Sequence, residues 1–307
     1  MSASWKVTLP CSKTEAEAIA EDQGAFGAFD SPPVLMTSEP DPARPEEWRL
    51  DAYFEGEPDA EALAILRALV PSADGVEAVV EALPDEDWVT LSQQGLEPIM
   101  AGRFFVHTPA HRDEVPEGAE ALEIDAGRAF GTGQHETTTG CLIALDRLKE
   151  QGISFSNLVD VGTGTGLLAF AALRLWPNAK AAASDIDPVS IEVAEENAGI
   201  NHVALGTGAG VCELIVAPGM DQERLRARAP YDLVIANILA GPLIELAPDI
   251  AGALAPGGRL ILAGLLTSQA EAVASAYRKQ GLTGAFTVER GEWPTLVMRK
   301  RRASGWR

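Results

Sequence analysis

The residues best suited to chemistry form a glycine-rich segment, Asp160-Val161-Gly162-Thr163-Gly164-Thr165-Gly166. The apolar run before it predicts the end of a buried strand, and the apolar run 167–175 after it predicts a buried helix. Glycine allows positive φ and has no Cβ, so a ligand can approach the backbone closely. The N-terminus of the helix adds free N–H groups and a positive dipole end. The segment is therefore a candidate cofactor-binding loop.

The spacing of the glycines distinguishes between cofactors. A dinucleotide-binding loop has the pattern G-x-G-x-x-G, but here Leu167 occupies the third glycine position of that pattern. The form D-x-G-x-G-x-G is more typical of S-adenosylmethionine binding. A tight strand–helix turn explains one glycine but not three in alternation. We therefore expect Gly162, Gly164 and Gly166 to bind S-adenosylmethionine.

An acidic residue follows the loop at a useful distance. Asp185 comes 23 residues after Gly162, at the end of the next predicted strand. An acid about 20 residues beyond such a loop can accept hydrogen bonds from both ribose hydroxyls. The alternative is that it caps the helix beginning at Pro188. Asp187 fits that cap better, because proline is favoured directly after the N-cap.

Two polar segments remain ambiguous from the sequence alone. Asn237 follows the predicted strand YDLVIA, and its amide could orient an amine beside a methyl donor or could bond its own backbone in a turn. The segment Phe130-Gly-Thr-Gly-Gln-His-Glu-Thr-Thr-Thr139 could cap the next helix or place a threonine hydroxyl on the carboxylate of the cofactor. His135 within it is a weak candidate for a catalytic base.

The order of the predicted elements indicates how these residues are positioned. From about residue 140 helices and strands alternate, which predicts a mostly parallel sheet covered on both faces. One of these helices is predicted at 243–254, and two final strands, 286–289 and 295–300, predict an antiparallel addition at one edge of the sheet. Ligands bind beyond the carboxyl ends of such strands, so the loop, Asp185 and Asn237 should converge there.

The N-terminal part predicts a smaller α+β unit. The order β-α-β-β-α-β suggests a ferredoxin-like sandwich, with Ser12 as N-cap of its first helix. Its second strand is poorly marked, because the proline-rich stretch 31–45 must be loop or edge.

Composition excludes several classes. The chain has 307 residues, no apolar run approaching the ~18–20 residues of a membrane span, and no secretory h-region at its N-terminus. Its three cysteines, Cys11, Cys141 and Cys212, lack metal-ligand spacing and predict buried, reduced thiols in a cytoplasmic protein. Pro109 between His107 and His111 argues against a metal-binding helix, so we expect no metal.

The charge is uneven along the chain. The net charge is −21, and the first 100 residues carry 21 acidic against 5 basic residues. So acidic a chain is not expected to hold nucleic acid by phosphate contacts, but it can attract a basic protein. The alternative is that the acids only solvate the surface. We expect the basic end Arg299-Lys300-Arg301-Arg302 to be solvated.

Taken together, AFGTGQHETT, DVGTGTG, SDIDP and ANILAGPL resemble the PrmA family, the ribosomal protein L11 methyltransferases. The strong resemblance runs from about residue 127 to 266. GLEPIMAGRFFVH and Glu292-Trp293 are also similar, whereas the first 80 residues match mainly in predicted architecture. The sequence departs from the family at Glu136, where the pattern H-P-T-T has proline. The stretch LIVAPGM also offers no acid for the adenine amino group.

The resemblance implies an α/β fold of the class I methyltransferase type, a Rossmann-like and mostly parallel sheet. It implies cofactor contacts at Thr138, Gly162, Asp185 and Asn237. We expect an N-terminal substrate-recognition domain at 1–84, a connector at 85–116 and a methyltransferase domain at 117–307.

The expected reaction is methyl transfer to amine nitrogens of the basic protein L11. The acceptors are lysine side chains and, as a second candidate, the N-terminal α-amine. Asn237 would orient the amine, and we expect no dedicated base. We expect a monomer that contacts neither membrane nor nucleic acid directly.

Three other functions stay open on the sequence. The chain could be a class I methyltransferase for another protein or a small amine. It could be a nicotinamide-dependent oxidoreductase, although Leu167 counts against this. It could also be a cofactor-binding module without catalytic activity.

Overall fold

The computed structural model describes residues 4–21, 33–38, 47–54, 56–83, 98–124 and 136–302. The chain divides into two compact units, residues 1–92 and residues 93–307, called unit 1 and unit 2 below. None of the helices in the described part of the chain combines the length and the hydropathy that crossing a membrane requires.

Unit 1 has the predicted order of elements and the ferredoxin-like arrangement. Its strands form one antiparallel sheet in the order β2-β3-β1-β4. The second strand, poorly marked in the sequence, lies at the edge of this sheet, where neighbouring prolines are tolerated. The remaining residues of the stretch 31–45, apart from residue 33, lie outside the described residues. The elements are β1 (Ser4–Ser12), α1 (Lys13–Glu21), β2 (Val34–Ser38), β3 (Glu47–Phe54), α2 (Ala60–Leu69) and β4 (Val79–Leu83).

Both helices of unit 1 begin at side chains that cap them. Ser12 and Glu15 form a reciprocal pair at the start of α1. The Ser12 N–H donates to Glu15 Oε2 at 2.7 Å, and the Glu15 N–H donates to Ser12 Oγ at 3.3 Å. At α2, Asp59 Oδ1 accepts from the Ala62 N–H at 2.8 Å. The prediction of Ser12 as an N-cap is confirmed.

Unit 2 begins with a small three-stranded sheet that the sequence did not reveal. It consists of β5 (Ile99–Ala101), β6 (Phe104–His107) and β7 (Glu120–Glu123), in that order. Phe104 and Leu122 pack in the same hydrophobic core as the larger sheet of this unit. Strands of three and four residues are too short to show a periodic pattern, which is why the sequence suggests only a connector.

The histidines of this region have local partners. His107 Nδ1 lies 2.8 Å from the Thr108 carbonyl oxygen, and His111 Nδ1 lies 2.8 Å from Glu114 Oε1. Within the described ranges, no group of three His, Cys, Asp or Glu side chains could hold a metal ion.

The larger sheet of unit 2 has seven strands in the order β10-β9-β8-β11-β12-β14-β13. Strands β8 to β12 are parallel, and β14 is antiparallel to both of its neighbours. Its elements are α3 (Glu136–Glu150), β8 (Asn157–Val161), α4 (Leu167–Leu175), β9 (Lys180–Asp185), α5 (Pro188–Ile200), β10 (Cys212–Val216), α6 (Glu223–Arg228), β11 (Tyr231–Asn237), α7 (Ala240–Glu245), α8 (Ala247–Ala253), β12 (Leu254–Ala263), α9 (Thr267–Lys279), β13 (Leu282–Val288) and β14 (Thr295–Lys300).

The mostly parallel sheet is confirmed, and so is the antiparallel addition at one edge, because β14 pairs with β12 and β13 lies outside β14. One predicted helix differs from the structure. The single helix predicted at 243–254 is wrong, because α7 ends at Glu245 and α8 starts at Ala247. Pro248 explains this break, since proline cannot donate the N–H that would continue α7.

Two hydrophobic cores cover the two faces of the sheet. Neighbouring residues of β8 alternate between them, with Leu158 in one core and Val159 in the other. Strands buried on both faces are continuous apolar runs, and these runs made the central strands easy to predict.

Two fully buried tyrosines provide a matched test of hydrogen bonding in these cores. The Tyr231 hydroxyl donates to the Leu225 carbonyl oxygen at 2.8 Å. The Tyr277 hydroxyl is buried without a hydrogen-bond partner among the described residues. We expect Tyr231→Phe to lower the free energy of unfolding by about 1 kcal/mol, whereas Tyr277→Phe should leave it unchanged or raise it. Urea unfolding measures the free energy of unfolding of both variants, and equal losses in the two would contradict this prediction.

Candidate active site

The glycine loop turns sharply between β8 and α4. Gly162, Gly164 and Gly166 have φ values of 71°, 54° and 85°, all in the left-handed region. A Cβ on Gly162 would overlap the Ile238 side chain, and one on Gly166 would overlap Phe170. The turn itself therefore requires three glycines. The number of glycines therefore does not by itself indicate a bound cofactor. Only the residues around the loop can indicate one.

Hydrogen bonds hold the loop against the end of β9. The N–H groups of Gly162 and Thr163 donate to the Ser184 carbonyl oxygen at 2.8 and 2.9 Å. Behind the loop, Asp160 is fully buried and accepts from the Thr163 hydroxyl at 2.7 Å. Burial raises the pKa of Asp160 to about 7, against the opposing effect of the Thr163 hydrogen bond. This acid thus supports the loop from the interior of the sheet.

Asp185 connects the loop to the next strand. Its Oδ2 accepts from the Gly164 N–H at 2.9 Å, and its Oδ1 accepts from the Asp187 N–H at 3.1 Å. Asp187 is the N-cap of α5, where it accepts from the Val189 N–H at 2.9 Å, as the sequence predicted. Because a carboxylate has about four acceptor sites, Asp185 can accept further hydrogen bonds at this edge.

Asn237 and Thr138 meet across the site, although 99 residues separate them. The Asn237 Nδ2 group donates to Thr138 Oγ1 at 3.3 Å. Asn237 is the last residue of β11, and Thr138 is buried in the first turn of α3. This orientation leaves Asn237 Oδ1 as an acceptor and the Thr138 hydroxyl proton as a donor.

Close packing brings these elements together. Ile238, the residue after Asn237, contacts Gly162, and a Cβ on Gly264 would overlap the Ile238 backbone. The ends of β8, β11 and β12 therefore meet at one side chain and its peptide. On the other side, a Cβ on Gly140 would overlap Thr295 Oγ1. The absence of a side chain at Gly140 thus lets α3 lie close to β14.

Glu136, the departure from the family pattern, has a partner of its own. It lies in the first turn of α3, and its Oε2 accepts from Arg290 Nε at 2.7 Å. The ion pair ties the start of α3 to the turn between β13 and β14. Residues 125–135 lie outside the described residues, so the structure gives no position for His135.

The edge also carries apolar side chains that the sequence analysis did not single out. Ile186, directly after Asp185, is 70% exposed, and Val216, the register partner of Asp185, is 47% exposed. The third strand thus ends in apolar surface, consistent with the lack of an acid in LIVAPGM. The isoleucine within SDIDP was the sequence signal that could have predicted this apolar surface.

Gly152 provides a control that separates the effect of the left-handed φ of Gly162 from the effect of its close contact with Ile238. Gly152 has nearly the same φ, 72°, but no atom lies within 4 Å of the place that a Cβ would take there. We expect Gly152→Ala to lower the free energy of unfolding by about 1–2 kcal/mol through its left-handed φ alone. Gly162→Ala should lower it further, because the new methyl group overlaps Ile238.

Thermal and urea unfolding of both variants measure the difference. The double variant Gly162→Ala/Ile238→Ala should recover the part of the lost free energy of unfolding that the overlap with Ile238 causes. Equal effects of the two single substitutions would show that Ile238 does not restrict the loop.

The strand order, the antiparallel β14 and the glycine loop after β8 define a class I methyltransferase. A crystal structure of a ribosomal protein L11 methylase from Lactobacillus delbrueckii subsp. bulgaricus supports this class. It has a TM-score of 0.57 and 26% sequence identity, and the match covers 67% of this chain and 100% of that chain.

Sequence comparisons identify the family. Residues 5–301 match the family model for ribosomal protein L11 methyltransferase (PrmA). The ribosomal protein L11 methyltransferase of Agrobacterium fabrum is 41% identical over 277 residues, 90% of this chain and 91% of the relative. That of Brucella abortus is 50% identical over 219 residues, 70% and 73% of the two chains. The chain belongs to the ribosomal protein L11 methyltransferase family.

Family membership confirms the resemblance and the class of enzyme that the sequence suggested. The nicotinamide-dependent oxidoreductase and the module without catalytic activity find no support in these matches.

Proposed function

We propose that this chain transfers methyl groups from S-adenosylmethionine to amine nitrogens of ribosomal protein L11. The acceptors are lysine side chains, with the N-terminal α-amine as a second candidate. The contact between Asn237 and Thr138 carries the proposal, because it joins an amine-orienting amide to a hydroxyl beside the glycine loop. The names of the relatives supply the substrate.

The residues at the carboxyl edge fit the cofactor. Asp185 has acceptor capacity for the two ribose hydroxyls, and Ile186 and Val216 offer apolar surface for the base. The Thr138 hydroxyl can donate to the carboxylate of the methionine part. Gly162, without a Cβ, allows that part to approach the backbone, and Gly164 and Gly166 complete the loop. When bound, S-adenosylmethionine supplies a methyl group on a positively charged sulfur, which is already a good leaving group.

The neutral amide of Asn237 suits an amine acceptor. A protonated amine has no lone pair, and a lysine has an ordinary pKa of ~10.4. Exclusion of water lowers that pKa and releases the proton. Asn237 Oδ1 can accept an N–H of the neutral amine and so align its lone pair. A carboxylate at this position would instead raise the lysine pKa and keep the amine protonated.

The activity test uses labelled S-adenosylmethionine, ribosomal proteins and mass analysis of the labelled products. We expect label on L11, and label confined to another protein would contradict the proposal. Asn237→Ala should reduce kcat about 100-fold, because the amine loses its alignment. Asn237→Asp should reduce kcat and shift the pH dependence of kcat to higher pH, because the carboxylate raises the lysine pKa.

Thr138→Ser is the matched control, since it keeps the hydroxyl that accepts from Asn237. Cofactor affinity by calorimetry should change little in Thr138→Ser. A wild-type kcat and pH profile in both Asn237 variants would remove this residue from the mechanism.

We further propose that unit 1 attracts the substrate. Its acidic balance suits a basic protein, and electrostatic complementarity mainly accelerates association and fixes orientation. Exposed acids of its described part include Glu61, Asp74 and Glu77.

Neutralising these three acids to their amides should raise KM for L11 about 10-fold at low salt, with kcat and cofactor affinity unchanged. The effect should disappear at high salt, where charges are screened. The control neutralises three exposed acids of unit 2, Glu150, Glu195 and Asp249. Steady-state kinetics with the two triple variants measure the difference, and equal KM values would contradict a docking role for unit 1.

A further inference from the structure

The cations of the described part of unit 2 lie mostly at the edge opposite the candidate site. We call this the amino edge, where strands β8 to β12 begin. Each helix between parallel strands returns the chain to this edge, so its last turn lies there. The last turns of α3, α4, α6 and α9 all carry basic residues: Arg147, Lys149, Arg174, Arg226, Arg228, Arg278 and Lys279. The amino edge therefore carries many of the described cations of this unit.

Three arginines form a cluster at the amino edge. Arg259 in β12 and Arg299 in β14 are register partners on adjacent strands. Arg259 Nη1 donates to the Gly257 carbonyl oxygen at 3.1 Å. The Arg302 side chain lies over the same glycine, with Nε 3.1 Å from the position of a Cβ there. We call Arg259, Arg299 and Arg302 the arginine cluster.

No carboxylate in the described part of the chain compensates the charge of the arginine cluster. The described ion pairs of unit 2 involve other cations, so none of the three arginines pairs with a described carboxylate. Arg259 Nε is also buried without a hydrogen-bond partner in the described part of the chain. Burial lowers the pKa of Arg259, and the neighbouring charges of Arg299 and Arg302 lower it further. Like charges held together in this way favour binding of an anion.

A second pair of arginines at the amino edge, beside β9 and β10, shows the contrast. Arg228 Nη1 lies 3.0 Å from Glu213 Oε2, and Arg224 also forms an ion pair with Glu213. Glu213 is 5% exposed, so its charge is held between the two arginines. Those cations have the acid that the arginine cluster lacks, although Arg228 Nη2 is also buried without a hydrogen-bond partner among the described residues.

We propose that the arginine cluster binds phosphate groups of RNA. Guanidinium groups match the geometry of phosphate oxygens and form paired hydrogen bonds with them. The cationic surface is also too long for one phosphate. Lys180 begins β9, four strand spacings from β14, which corresponds to about 19 Å. A polymer with repeated phosphates can contact several of these cations, whereas a single small anion cannot.

This proposal revises two expectations from the sequence, a solvated basic end and no contact with nucleic acid. The net charge of −21 led to the expectation of no contact with nucleic acid, but 21 of the 45 acids lie in the first 100 residues. Charges farther than about 10 Å from a bound phosphate are largely screened at ordinary salt. Local charge at the amino edge therefore matters more than the total. RNA bound there would leave the carboxyl edge open for methyl transfer.

The test measures binding of a short labelled RNA hairpin to the full chain by fluorescence anisotropy at about 50–200 mM salt. We expect the double variant Arg299→Gln/Arg302→Gln to bind at least about 10-fold more weakly at the lowest salt. The slope of log K against log salt should also fall by about 2, one unit for each phosphate that the variant no longer neutralises.

The control variant, Arg103→Gln/Arg112→Gln, removes the same charge from two arginines next to the three-stranded sheet, which are already paired with Asp146 and Glu123. Its affinity and slope should stay close to wild type. Circular dichroism checks that both variants fold, and the exposed single variant Arg302→Gln repeats the test if the double variant does not.

Three outcomes would overturn the proposal. One is no binding of the hairpin by the wild-type chain at the lowest salt. Another is an equal loss of RNA affinity in the test and control variants, which would indicate an effect of net charge alone. The third is cluster-dependent binding to phosphatidylglycerol vesicles without binding to RNA. Methylation of free L11 should be the same in all these variants, so this result is independent of the proposed function.

Discussion

The packing of Ile238 between two glycines is the constraint on which the candidate site depends. Gly162 at the end of β8 and Gly264 after β12 both lie so close to Ile238 that neither can carry a side chain. The residue before Ile238 is Asn237, so the same contact positions the glycine loop and the amide. Protein interiors are packed too tightly for one of these parts to shift alone. The cofactor loop and the amine-orienting residue therefore form one rigid arrangement.

The carboxylates near this arrangement are each engaged by burial, by hydrogen bonds or by an ion pair. The pKa of the buried Asp160 is raised to about 7, while Asp185 accepts from two backbone N–H groups. Glu136 forms an ion pair with Arg290. This matters for an amine acceptor, because a free carboxylate would attract a lysine but would also hold its proton. Under our proposal, attraction is the task of unit 1 and deprotonation occurs beside a neutral amide.

Much of the fold follows from local sequence patterns. The observed bounds of α4 and β14 equal the predicted ones, since apolar runs flanked by glycine or proline define them. Asp187 before Pro188 predicts the start of α5 because the N-cap and the first helical position have distinct preferences. The strands β5 to β7 escaped prediction because their few residues show no period. They are recognised only by their packing.

The candidate site is predictable in its residue types but not in its contacts. Sequence spacing relates Gly162 to Asp185 through one β-α-β unit of ordinary length. The contact between Thr138 and Asn237 depends instead on how α3 packs against the sheet, which Gly140 and Thr295 determine. The sequence analysis inferred cofactor binding from the three alternating glycines, but the turn geometry alone already requires them. A pattern can thus identify the right residues for an incomplete reason.

The position of β14 has a consequence for how the protein is made. Among the described strands, β13 pairs only with β14, which follows it in the chain. During synthesis, β13 therefore leaves the ribosome without a partner, and the edge of β12 stays open until residues 295–300 emerge. Unpaired strand edges promote aggregation, so this unit is exposed to misassembly until β14 has emerged. An enzyme whose family modifies a ribosomal protein thus completes its own sheet only after β14 has left the ribosome.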